Sequence, residues 1–136
     1  MTLSAATTQS AGRTLRPIVL LVEDEPTIAV TLRDDLADSG YEVVQTGDGG
    51  DAIAILASRR FDAVITDLRL PGADGVQVVR AARAARPDVP VLVISAWLDG
   101  HRERIRALGA AALGKPFCNR AILAWLGSPN DATGVA

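Results

Sequence analysis

Residues 18–26 read Ile18-Val19-Leu20-Leu21-Val22-Glu23-Asp24-Glu25-Pro26, and this stretch decides the fold. Successive side chains of a strand point to opposite faces, so an apolar run on both parities needs cover on both sides. A strand with one wet face would alternate apolar with polar; this one reads as a central strand of a parallel sheet. Carboxylates follow the run at once, and Pro26 suits the first position of a helix. Ile28, Leu32 and Leu36 then recur at helical spacing, and Gly40 marks the stop.

The same alternation of strand and helix continues outward. Ala63-Val64-Ile65 and Val91-Leu92-Val93-Ile94 are β-branched and apolar on both parities, as covered strands should be. Tyr41-Glu42-Val43-Val44-Gln45 is less apolar and suits an edge, and Ala110–Leu113 supplies a weak fifth strand by its place in the series. Helical segments fall at 51–58, with Ile53 and Leu56 on one face, and at 75–85, with Val76, Val79 and Ala82 inward and Pro87 closing it. An arginine-rich helix over 102–108 buries only Ile105 and Leu108. A last helix, 119–126, buries Ile122 and Leu126 with Leu123. The pattern predicts an α/β fold: a five-stranded parallel sheet with helices on both faces. Right-handed crossovers favour strand order 2-1-3-4-5, and a site beyond the carboxyl ends of the strands, beside the switch point between strands 1 and 3.

Composition narrows the function. The chain has 136 residues, enough for one domain. Lys and Arg number 14 against 16 Asp and Glu, which leaves no basic footprint for nucleic acid, and aromatics at 4% are too few for base stacking. Cys118 is the single cysteine and His101 the single histidine, which excludes an intramolecular disulfide and leaves a zinc site or a Cys-His or Ser-His pair without ligands or a base. Residues 1–14 lack the apolar core of a signal peptide, and no apolar run is long enough to span a membrane. A cytoplasmic location is expected. Residues 1–16 read as a disordered leader, 17–126 as the folded domain and 127–136 as a flexible tail.

The strand ends carry the chemistry. Strand 1 ends in Glu23-Asp24-Glu25, strand 3 in Thr66-Asp67, strand 4 in Ser95-Ala96 and strand 5 in Lys115-Pro116. An acidic tripeptide before a helix also suits the helix dipole, and a lone Asp, Ser or Lys-Pro suits a turn. Their joint placement on one rim points instead to a site. Carboxylates crowded together repel unless a cation intervenes, and Mg²⁺ with oxygen ligands and retained waters meets that need. Asp24 and Asp67 are the expected direct ligands, with Glu23 acting through water. Such a site resembles a phosphoryl-transfer centre, yet no Gly-rich P-loop is present, so the phosphoryl group has to arrive on another molecule. Asp67 is the expected nucleophile, Lys115 neutralises one phosphoryl oxygen and the Ser95 hydroxyl bonds another.

These residues resemble the receiver domains of two-component response regulators. Val22-Glu23-Asp24-Glu25-Pro26 matches the family's acidic cluster, and Asp67-Leu68-Arg69-Leu70-Pro71-Gly72-Ala73-Asp74-Gly75 its phospho-acceptor signature. Ser95-Ala96 stands at the family's hydroxyl position, and Lys115-Pro116-Phe117 matches the strand-5 lysine motif. The resemblance covers about residues 17–126 and implies a flavodoxin-like receiver fold. It implies a histidine kinase or phosphotransfer protein as phosphoryl donor to Asp67, a Mg²⁺ requirement, the backbone carbonyl of Arg69 as a further metal ligand, and a cis Lys115-Pro116 bond. Water then hydrolyses the acyl phosphate. The implied role is that of a signalling receiver, which catalyses its own phosphorylation and dephosphorylation and is not otherwise an enzyme.

Several positions depart from the family pattern. Ala112 stands where an aromatic usually couples to the strand-4 hydroxyl, so an aromatic rotamer switch is excluded there. The span from Gly109 to Lys115 is about one residue short, which predicts irregular pairing of strand 5. Arg69 either screens water from the site or contacts Glu25 or solvent. Trp97 reads as a partly buried packing aromatic, with a lid over the site as the alternative. Trp125 falls either on the exposed side beside Ala121, as a partner anchor, or over the sheet edge. His101 reads as a solvated residue early in the fourth helix. The expected function is a stand-alone phospho-receiver, monomeric or weakly dimeric, acting on a downstream protein target or as a phosphate sink. It needs no direct contact with DNA or membrane, since the receiver fold uses the chain through Leu126. A pseudo-receiver scaffold unregulated by phosphorylation is the alternative, and a small phosphohydrolase ranks last, since Arg69 replaces the general acid such enzymes place two residues past the nucleophile.

Overall fold

In the computed structural model, which describes residues 16–128, the opening stretch forms strand β1 (Ile18–Val22), followed by helix α1 (Pro26–Asp38). The elements then alternate: β2 (Glu42–Thr46), α2 (Gly49–Ser58), β3 (Ala63–Asp67), α3 (Gly75–Ala85), β4 (Val91–Ser95), α4 (Arg102–Ala107), β5 (Ala111–Gly114) and α5 (Asn119–Gly127). All pairings are parallel, and the strands lie in the order β2-β1-β3-β4-β5. This is the flavodoxin-like 2-1-3-4-5 arrangement.

The two parities of the central strands feed two separate cores. Leu20 and Val22 of β1, Val64 of β3 and Val91 and Val93 of β4 pack with Leu56 of α2, Val79 of α3 and Ile105 of α4. Val19 and Leu21, Ile65, and Leu92 and Ile94 pack on the other face with Leu32 and Leu36 of α1 and Ile122 and Trp125 of α5. Each fully buried Leu or Ile contributes roughly 1.5–3 kcal/mol, so the duplicated core is what holds the sheet between its helices.

Local signals set most boundaries. Pro26 opens α1. The Asp74 carboxylate accepts from the Gln77 N–H at 2.9 Å while Gln77 accepts from the Asp74 N–H, a reciprocal cap that starts α3 at Gly75. Helix α2 begins two residues earlier than the apolar pattern indicates, because Asp48 caps it by accepting from the Asp51 N–H at 2.9 Å. Strand β5 pairs in continuous register with β4, from Leu92 with Ala111 to Ser95 with Gly114, in place of the expected irregular pairing. The short span is taken up before the strand, where Gly109 adopts φ +75° and the Ala110 N–H bonds back to the Ile105 carbonyl.

Trp125 is 2% exposed and packs on the sheet beside Ile122 and Leu126, which removes it as an exposed partner anchor. Arginine Arg83 of α3 clamps the opposite end of the sheet from the acidic turn. Its Nε donates to the Leu108 carbonyl at 2.9 Å and its Nη2 to the Gly109 carbonyl at 2.6 Å, while Nη1 donates to the carbonyls of Pro87 and Val89. The expected leader and most of the expected tail lie outside the described residues.

Candidate functional site

Strands β1, β3, β4 and β5 run in one direction, so their last residues share one rim. Glu23 follows β1 directly and is 1% exposed; Asp67 ends β3 at 7%; Ser95 ends β4 at 1%. Lys115 follows β5, and its N–H donates to the Ser95 carbonyl at 2.8 Å, so the lysine backbone is anchored to the hydroxyl-bearing residue.

The Lys115 ammonium lies 2.8 Å from Asp67 Oδ2 and 2.8 Å from Glu23 Oε1. The contact with Asp67 is a directed hydrogen bond. That with Glu23 is an ion pair of poorer alignment, and Oε1 has no hydrogen-bond donor among the described residues. The remaining carboxylate oxygens are held by the backbone: Glu23 Oε2 by the Glu25 N–H at 3.0 Å, and Asp67 Oδ1 by the N–H groups of Leu68 at 2.7 Å and Arg69 at 3.4 Å. Asp67 is fixed from its own strand as well, since the Thr66 hydroxyl donates to its carbonyl at 2.9 Å. The start of α3 lies close against this turn: the Gly75 N–H donates to the Leu68 carbonyl at 2.7 Å, and any side chain at Gly75 would collide with the Asp67 carbonyl and the Leu68 backbone.

Electrostatics follow from this packing. Burial pushes the Glu23 carboxyl above its ordinary value, and neighbouring Asp67 adds to the push, against the pull of Lys115 and the Glu25 amide. Burial alone would lower the Lys115 ammonium, but its bonds to Asp67 and Glu23 outweigh that and raise it. Three carboxylates, Glu23, Asp24 and Asp67, present oxygens within 4.8 Å of one another. One lysine leaves them with surplus negative charge, and Glu23 Oε1 is buried with only an ammonium before it. A hard divalent cation fits this donor set, all oxygen and partly open to solvent through exposed Asp24.

The structure brings together the rim residues expected from the strand ends, and the Lys115-Pro116 bond is cis. One loop residue behaves otherwise than expected: Trp97 is 56% exposed instead of partly buried. Of the alternatives open for Arg69 the structure shows the solvent-facing one, with the guanidinium stacked on the Trp97 ring at 4.7 Å from the centroid. His101 occupies the position before α4 without a side-chain cap bond, half-buried, with its ring Nδ1 3.1 Å from Arg104. Two contacts had no sequence signal: the Trp97 N–H donating to Ser95 Oγ at 2.9 Å and the Thr66 hydroxyl bond to Asp67.

Known proteins share this arrangement. The family model for the response regulator receiver domain matches residues 19–126. Response regulator MprA of Mycolicibacterium vanbaalenii is 38% identical over 109 residues, covering 78% of this chain and 47% of that protein. MprA of Mycobacterium avium matches to the same extent, so the chain spans about half the length of the curated relatives it matches. Among solved structures, the receiver domain of the sensor histidine kinase PA1611 from Pseudomonas aeruginosa, which has a magnesium ion coordinated in its active site cleft, aligns with TM-score 0.76 and 31% identity. The alignment covers 85% of this chain and 98% of that one. Chemotaxis response regulator CheY4 of Vibrio cholerae aligns with TM-score 0.75 and 31% identity, over 83% of this chain and 98% of that one. The matched span runs from the first strand to the last helix and takes in Glu23, Asp24, Asp67, Ser95 and Lys115, and the chain therefore belongs to the response regulator receiver domain family of two-component systems.

Proposed function

We propose that Asp67 accepts a phosphoryl group from a histidine kinase or a phosphotransfer protein, and that the phosphorylated chain acts by contact with a downstream protein or as a phosphate sink. The observation that carries this reading is the Lys115 ammonium, 2.8 Å from Asp67 Oδ2 on a rim whose other members are carboxylates and a hydroxyl. An Asp67 carboxylate oxygen attacks phosphorus, the bond from phosphorus to the donor's imidazole nitrogen breaks, and that nitrogen keeps the electron pair and takes up a proton. Lys115 neutralises one phosphoryl oxygen and the Ser95 hydroxyl donates to another. Asp24, Asp67 and the Arg69 carbonyl, with Glu23 through water, are the residues that would hold Mg²⁺. Bound there, the ion supplies charge neutralisation for the incoming phosphoryl oxygens. The PA1611 receiver supports that assignment through its coordinated magnesium.

No helix among the described residues is long and apolar enough to cross a membrane. Together with the near-balanced charge this supports a cytoplasmic chain that acts through protein contact rather than by binding DNA or membrane itself, and we propose that it is monomeric or weakly dimeric. Apart from its own phosphorylation and dephosphorylation, no enzymatic turnover is assigned to it. The boundaries proposed for the working unit are residues 17–126.

The test is Mg²⁺-dependent labelling with acetyl phosphate or a histidine kinase, read as the added mass of one phosphoryl group. Wild type is expected to label and Asp67→Asn to show no label at all. A well-folded wild type that stays unlabelled across several donors overturns the proposal. One observation favours a second reading, a scaffold that does not use phosphorylation: position 112 holds a half-buried alanine where an aromatic would couple to Ser95. Under that reading Mg²⁺ leaves the Trp97 emission unchanged, since a scaffold has no reason to keep the ion site.

A further inference from the structure

Among the described residues, the Arg69 side chain is the cation of this rim that no carboxylate pairs with. Its guanidinium sits over the Trp97 ring at 4.7 Å, an exposed residue against an exposed ring. The two residues belong to different loops, after β3 and after β4, and each is tied by its own backbone amide to a reacting group. The Arg69 N–H reaches Asp67 Oδ1 at 3.4 Å, and the Trp97 N–H donates to Ser95 Oγ at 2.9 Å. The stack therefore bridges the nucleophile's loop and the hydroxyl's loop directly beside the site. With alanine at 112, no aromatic on β5 is present to carry a change at Ser95 outward.

We propose that Arg69 is a phosphoryl-binding side chain held in reserve on Trp97: it moves to the phosphoryl oxygens when the acyl phosphate forms, and the uncovering of Trp97 is the signal a partner meets. The inference rests on Asp67 being the phosphoryl acceptor. A guanidinium on an exposed indole is held by a weak, water-screened attraction. A phosphoryl group offers the same guanidinium a doubly charged acceptor with two oxygens spaced for its planar fork, a stronger contact. Before phosphorylation Asp67 offers the planar fork no free pair of oxygens. Asp67 Oδ1 is occupied by backbone amides and Oδ2 by Lys115, so neither oxygen draws the guanidinium off the ring. After phosphorylation the new oxygens stand beyond the carboxylate, within reach of a side chain whose backbone nitrogen is already 3.4 Å from it. The chemical class recognised is a phosphoryl dianion on Asp67, and the responding group is one exposed tryptophan.

The experiment uses the full chain with Mg²⁺ and acetyl phosphate, the labelled fraction being read by mass. Two signals are followed: the Arg69 side-chain N–H resonance, displaced by the ring current of Trp97 while the stack holds, and the Trp97 emission, obtained by subtracting a Trp97→Phe sample. Labelling of wild type is expected to abolish the ring-current displacement and to shift the emission, with greater quenching by iodide. In Arg69→Gln the emission change per labelled molecule is expected to be lost. Labelled wild type with the Arg69 resonance still displaced and the emission unmoved overturns this inference and leaves the acceptor role of Asp67 standing. Absence of any label overturns both.

Discussion

Arg83 and Lys115 are long cationic side chains partly drawn into the protein at opposite ends of the sheet, and they are satisfied in opposite ways. Arg83, at one end of the sheet, gives its guanidinium to the backbone carbonyls of Pro87, Val89, Leu108 and Gly109. Lys115, at the other end, faces the carboxylates of Asp67 and Glu23. Burial lowers the Arg83 pKa, because neutral carbonyls return only part of the lost hydration, whereas the two carboxylates raise that of Lys115 above its ordinary value. The arginine's donors are spent on main chain that cannot leave, so it is a clamp joining α3 to the turn before β5. The lysine's partners are charged, outnumber it and can react. A closed shell fixes structure; an unbalanced one is available to a third party.

Removing Lys115 should have the largest effect. Lys115→Ala withdraws the ammonium that bonds Asp67, and the initial rate of labelling by acetyl phosphate should fall by about 10²–10³-fold, the usual consequence of losing a donor aimed at developing charge. Circular dichroism at the labelling conditions checks that the variant is folded. A labelling rate equal to wild type would show that the lysine is as structural as the arginine, and the contrast between the two ends would collapse.

Arg83→Met supplies the reciprocal test. The methionine keeps an apolar stem but removes the donor from four carbonyls, two of them at contacts open to water, and the loss should be about 1–2 kcal/mol in urea unfolding. Since Arg83 lies at the far end of the strands, labelling of the folded variant should remain within about twofold of wild type, as expected for separated sites. A marked drop in labelling without a loss of stability would reverse the roles assigned to the two cations.

The contrast also explains what was legible in the sequence. Runs such as Leu20-Leu21-Val22 and Leu92-Val93-Ile94 announce two covered faces, because side-chain alternation is a property of every strand. The rim of Glu23, Asp67, Ser95 and Lys115 was readable because parallel strands bring their carboxyl ends together whatever the loops do. Trp125 carried a usable signal: it lies three residues past Ile122 and next to Leu126, both inward, and its burial follows from helical spacing. The stack of Arg69 on Trp97 had none, since it joins two loops through side-chain rotamers that no periodicity records. Arg83 was equally silent, as one more arginine on an amphipathic helix. Its role depends on where carbonyls from residues 87, 89, 108 and 109 converge. The regular register of β5 was hidden for the same reason: a glycine at positive φ took up the missing residue outside the strand.

The smallest effect expected comes from Glu23, and its sign separates the two ends most finely. The carboxyl is raised above its ordinary value of 4.5 by burial first and by Asp67 next, so the folded chain holds its proton more tightly than the unfolded chain. Stability from that proton is complete below 4.5 and is lost as pH rises through the folded value. At neutral pH without metal, ionised Glu23 therefore works against the fold. Glu23→Gln keeps the shape, leaves Lys115 paired with Asp67, and should raise stability in EDTA at pH 7. The gap between variant and wild type should narrow as pH falls toward 4.5, where wild-type Glu23 regains its proton. Mg²⁺ should act in the opposite sense, stabilising wild type more than the variant, because the surplus charge that costs the metal-free chain is what the ion would bind. Thermal unfolding over pH 4–7, with EDTA and then with Mg²⁺, measures both. A variant less stable than wild type at pH 7, with a gap that pH does not change, would mean that the acidic end is as fully compensated as the arginine clamp.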